Sequence, residues 1–132
     1  MTREILFRGK RIDNGEWVFG DLRHIFYGEC YPHIVDNSNG LNNSVCGLEV
    51  DPATVGQFTG LTDRNGVKIF EGDIVNYNCE PGYVGFDKEN AEFLIFFSKW
   101  TAGFDSIYCD RNAEVIGNIY DNPELLEVNE SD

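Results

Sequence analysis

Histidine and paired cysteine are nearly missing from this 132-residue chain. It has two His and four Cys (Cys30, Cys46, Cys79, Cys109), with no Cys-x-x-Cys. Two histidines are too few to compose a Ser/His/Asp or Cys/His set without inventing contacts. Widely spread cysteines fit free thiols in a reducing compartment rather than a disulfide framework. Cations are scarce too: ten Lys+Arg stand against 23 Asp+Glu, a net charge of −13. Such a chain lacks the basic footprint of phosphate-backbone binding and is repelled by anionic membranes. Long apolar runs are absent, and the longest, Phe93 to Phe97, is far too short to span a bilayer. No apolar core follows Met1-Thr2-Arg3-Glu4, so no signal peptide is expected and the expected location is the cytoplasm. Neither a phosphate loop nor a dinucleotide fingerprint occurs. Gly56-Gln57-Phe58-Thr59-Gly60 lacks the pattern and opens no helix. Catalysis, cofactors and membrane partners are therefore not expected.

What is present reads as β structure. Ten Phe, six Tyr and two Trp suit strands and interfaces, and 14 Gly sit singly between apolar runs as turn formers. Asn14-Gly15 between two β-prone runs (Ile5–Ile12 and Glu16–Leu22) is a hairpin signal. Tyr31–Val35 reads as a short strand interrupted at Pro32, and Asp36–Ser44 as a surface loop. Cys46–Val50 reads as a strand before the Asp51–Thr54 turn. Val55–Val75 reads as a hairpin around Asp63-Arg64-Asn65-Gly66, then a sharp Glu71-Gly72-Asp73 corner that launches a strand at Ile74. Strands are also expected at Gly82–Phe86, Ala91–Trp100, Gly103–Cys109 and Ala113–Tyr120. Asn122-Pro123 starts a one-turn helix, with Asn as cap and Pro at its first position. The expectation is a mainly β protein: an N-terminal meander of hairpins over residues 1–70, then a small barrel over residues 71–132.

Three clusters could carry chemistry. His24, Cys30, His33 and Cys46 could approach a metal, but their spacing is not that of a zinc site. Asp63, Glu71 and Asp73 could bind a divalent cation. Acids beside glycine at a strand-entry corner more commonly satisfy backbone N–H groups, so no metal is expected at either place. Arg8, Lys10, Arg11 and Arg23 lie near Trp17 and Phe19, a combination that can bind single-stranded nucleic acid. Ordinary strand-surface charges with carboxylate partners explain the same residues. The acidity itself is asymmetric. Residues 1–70 hold seven Lys/Arg and nine Asp/Glu, whereas residues 71–132 hold three and fourteen, so net −11 falls in the C-terminal part. That excess reads as a solubilising surface or as one that docks a basic partner.

Three blocks in order, Phe7–Val18, Val55–Val75 and Ile116–Leu125, resemble the YopX family, which phages and prophages carry. Tyr27–Val50 and Cys79–Asn90 lie between them. The resemblance implies a mainly β protein whose C-terminal part is a small SH3-like barrel, and it is compatible with homo-oligomers. It brings no catalytic residue with it. The functional expectation is a non-enzymatic accessory protein acting by binding, as a homo-oligomer. The alternatives are an acidic inhibitor of a basic host nucleic-acid-binding protein and a direct nucleic-acid-binding module.

Overall fold

A computed structural model describes residues 4–26, 30–35, 47–77, 79–98, 100–103 and 112–126. Eleven strands appear among them: β1 Phe7–Lys10, β2 Trp17–Phe26, β3 Cys30–Val35, β4 Leu48–Glu49, β5 Gly56–Thr62, β6 Lys68–Phe70, β7 Asp73–Tyr77, β8 Glu80–Asp87, β9 Glu92–Phe96, β10 Thr101–Gly103 and β11 Ala113–Asn118. They form two antiparallel sheets, one of order β4-β3-β2-β1-β5-β6 and one of order β10-β9-β8-β7-β11. The chain divides into two compact units, Met1–Phe58 and Thr59–Asp132, and β5 runs through the division.

In the first unit the Asn14-Gly15 hairpin forms as its sequence dictates. Gly15 takes φ +74, and the Gly15 N–H donates to the Arg11 carbonyl at 2.9 Å. Pro32 does not break its strand but pairs with His24 in the middle of β3. Its carbonyl still accepts from the Val50 N–H at 3.2 Å. The donor that proline lacks falls on the side of β4, which is only two residues long. Asp51 caps the 3-10 turn Pro52–Thr54 by accepting from the Ala53 N–H. Thr54 then accepts from the Lys10 N–H, tying this turn to β1. Ile34, Val35, Val50 and Phe58 are buried hydrophobic side chains among the described residues of this unit. Gly9 is buried where a Cβ would sit 2.9 Å from Val50. The expected Asp36–Ser44 loop, Cys46 and Tyr27 lie outside the described residues.

In the second unit Ile69, Val75, Val84, Ile95, Phe97 and Ala113 form one core cluster. Period-two alternation on β7, β8 and β9 supplies it: Val75, Val84 and Ile95 face this cluster, and their neighbours face the other side of the sheet, where Ile74 is also fully buried. The Glu71-Gly72-Asp73 corner lies inside this unit. Gly72 adopts φ +92, and a Cβ there would meet the Tyr120 ring at 2.9 Å. The Gly72 N–H donates to Val84 O, and its carbonyl accepts from the Ile119 N–H. The expected barrel is not closed among the described residues, because β10 and β11 remain the two edges of an open five-stranded sheet. Pro123–Leu126 forms a single 3-10 turn. Of the expected Gly103–Cys109 strand only Gly103 is described, at the end of β10. No helix of the described residues is long and apolar enough to cross a membrane.

Candidate functional site

The β1–β2 register places Arg8 opposite Phe19 and Lys10 opposite Trp17, so all four side chains share one face. The Arg8 guanidinium lies 4.7 Å from the Trp17 ring centroid and the Lys10 ammonium 5.7 Å. Both distances are within cation–π range. Arg8 is buried beneath this arrangement, while Phe19 is 45% exposed. Further along β2, Asp21 and Arg23 continue the same face. Asp21 interrupts the basic row with a carboxylate. Arg11 is not part of it. Arg11 turns to Asp13 in a two-point pair, Nη2 to Oδ2 at 2.6 Å and Nε to Oδ1 at 2.9 Å. That hydrogen bond holds the Asp13 carboxyl below the usual range and the Arg11 guanidinium above its own. The structure thus brings Arg8, Lys10, Trp17 and Phe19 together and sends Arg11 elsewhere.

The other two clusters do not converge. In the β2–β3 register His24 pairs with Pro32, and His33 pairs with Arg23. Adjacent residues on a strand face opposite ways, so the exposed His24 and the buried His33 lie on opposite sides of the ribbon. Cys46 and the side chain of Cys30 are outside the described residues. Asp63 is buried, and backbone groups occupy its carboxylate. Oδ1 accepts from the Asn65 and Val67 N–H groups at 2.8 and 2.9 Å, and Oδ2 accepts from the Val115 N–H at 2.8 Å. Asp73 Oδ2 accepts from the Phe70 N–H at 2.7 Å. Among the described residues no group of three His, Cys, Asp or Glu is arranged to hold a metal.

Sequence reasoning missed the surface of β8–β9. Their register pairs Tyr83 with Phe96, Gly85 with Leu94 and Asp87 with Glu92. The Tyr83 and Phe96 rings stack at 5.2 Å, and a Cβ on Gly85 would lie 2.7 Å from the Phe96 ring. At the hairpin end Phe97 stacks on Trp100 at 4.3 Å, and the Trp100 indole N–H reaches the Glu80 carboxylate. The signal was the alternation Tyr83-x-Gly85-x-Asp87 against Glu92-x-Leu94-x-Phe96. Reading it needed the register, which the turn with Ala91 at φ 54 fixes.

Two antiparallel sheets with almost no helix make this an all-β protein. The YopX protein family matches residues 6–127, and the chain belongs to that family. A crystal structure of protein EF1440 from Enterococcus faecalis is similar to it. The identity is 25%, with 96% of this chain and 100% of that chain covered and a TM-score of 0.55. No curated protein sequence matches the chain.

Proposed function

We propose that the protein is a non-enzymatic accessory protein of phages or prophages that acts by binding and assembles as a homo-oligomer in the cytoplasm. The observation that carries this reading is the exposed aromatic side chains of each unit: Phe19 in the first, and Tyr83, Phe86 and Trp100 in the second, are each at least a third exposed. Large aromatic side chains left in water favour a partner that covers them. Size-exclusion chromatography with light scattering tests the assembly. A mass above the 15.0 kDa chain is expected, and a clean monomer at working concentration would count against it. The finer reading of the second unit as an SH3-like barrel is supported by its meander, whose last strand, β11, returns beside its first, β7. An experimental structure with β10 and β11 far apart would argue against that reading.

A second reading, inhibition of a basic host protein, is favoured by the net −11 of residues 71–132. Recovery of no basic nucleic-acid-binding protein from host lysate at low salt would count against it.

A further inference from the structure

Among the described residues, the outer face of the second sheet is covered on one side only. The Pro123–Leu126 turn lies against β8, and Leu125 closes over Gly117, which pairs with the fully buried Ile74. The β8–β9 part of that face stays open and presents three cross-strand pairs in line. Tyr83 and Phe96 form an aromatic stack, with Tyr83 36% exposed. Gly85 and Leu94 make a low apolar floor. Asp87 and Glu92 lie directly opposite each other; Asp87 accepts from the Glu89 N–H at 3.0 Å and from Asn90 Nδ2 at 2.8 Å, while Glu92 is exposed, so like charge gathers at this end of the face. Among the described residues no lysine or arginine forms an ion pair with either acid. At about 3.3 Å per residue, the acidic pair lies roughly 13 Å along the strands from the aromatic pair.

We propose that this face of β8–β9 docks an arginine-bearing segment of a basic protein partner. A guanidinium stacks on the Tyr83–Phe96 rings, and a second cation two to four residues along the segment sits between Asp87 and Glu92. Arginine suits the first position because its plane stacks on aromatic rings while its edge still donates hydrogen bonds. The net −11 of residues 71–132 is the complementary charge, and it draws a basic chain to this unit before contact. The inference rests on the binding reading above and deepens its second form. It does not rest on self-association, which the mass measurement tests separately.

The test uses the full chain and fluorescein-labelled hexa-arginine and hexa-lysine peptides at low salt, followed by polarisation. Hexa-arginine is expected to bind more tightly than hexa-lysine, and Tyr83→Ser is expected to erase that preference. Glu92→Gln should weaken binding by about fivefold or more, while Glu49→Gln, the same charge change in the first unit, should alter it less than about twofold. Amide chemical-shift changes in the unsubstituted protein should centre on Tyr83, Gly85 and Leu94, which keeps the test independent of variant folding. Equal weakening by Glu49→Gln and Glu92→Gln would reduce the effect to diffuse charge and overturn the proposal. So would shifts centred elsewhere. A Tyr83→Ser variant that changes the oligomeric mass and leaves peptide binding intact would assign the face to a second copy instead.

Discussion

Replacing Gly9 with alanine is expected to destabilise the first unit by about 1–2 kcal/mol. A methyl at this position lies 2.9 Å from Val50 Cβ and Cγ2 and 3.1 Å from Cγ1. Carbon atoms pack best at roughly 3.5–4.0 Å, so all three contacts are repulsive. Val50 has little room to retreat. It is fully buried, and its N–H donates to the Pro32 carbonyl. The next N–H, of Asp51, donates to the Lys10 carbonyl at 2.8 Å. Overpacking of this kind costs about 1–3 kcal/mol. Part is offset because alanine restricts the unfolded chain, a gain of roughly 0.4–1 kcal/mol at backbone angles alanine can adopt. Urea unfolding followed by far-UV circular dichroism and tryptophan fluorescence reads the difference. With a slope of about 2 kcal/mol/M, the midpoint should fall by roughly 0.5–1 M. Val50→Ala removes the opposing methyls, so Gly9→Ala/Val50→Ala should be less destabilised than the two single variants summed. A Gly9→Ala midpoint at or above that of the parent, or strict additivity in the pair, would refute the packing argument.

Asp63→Asn should lower stability by about 1–3 kcal/mol, because an amide cannot accept at both ends and a buried N–H of Asn65, Val67 or Val115 loses its partner. Thermal melts read this change, and an unchanged melting temperature would show that the turn rearranges freely. NMR titration should give Asp13 a pKa below that of an ordinary aspartate, returning to normal in Arg11→Gln. A depressed folded-state value makes the pair's contribution complete above the unfolded pKa of about 3.9, and it is lost as pH falls through the folded value. An Asp13 that titrates normally in the parent would dispose of the pair. The exposed, free thiol of Cys79 should react with maleimide in the native protein, and peptide mapping that finds it unmodified would contradict its exposure.

Short-range grammar carried most of the architecture. Asn14-Gly15, Asp63-Arg64-Asn65-Gly66 and Glu71-Gly72-Asp73 are local instructions, and each appears as a turn between the expected strands. Pro32 misled because its effect depends on a neighbour almost twenty residues later in sequence, the short β4, which alternation alone does not reveal. The same limit hid the β8–β9 surface. Tyr83 and Phe96 become partners only once register is set, and Gly85 becomes a floor only once Phe96 leans over it. For the basic residues, nearness in sequence grouped Arg8, Lys10 and Arg11 but did not show that Arg11 would choose Asp13. Charge asymmetry was visible from composition, but its placement on a surface was not.

The Asp63 carboxylate has a consequence for how copies of this chain can meet. One of its oxygens closes the β5–β6 turn, while the other accepts from the Val115 N–H; beside it, the Arg64 N–H donates to the Ala113 carbonyl. Those two groups of β11 are the ones an incoming strand would need. The turn therefore acts as a blocked rail: a second molecule cannot extend the sheet at Ala113 and Val115. The carboxylate is also a gauge of register, because a one-residue slip of β11 would carry the Val115 N–H away from Oδ2 and turn every β11 side chain to the opposite face. Fifty-two residues separate Asp63 from Val115. The contact therefore holds an alignment that the local hairpins do not set by themselves.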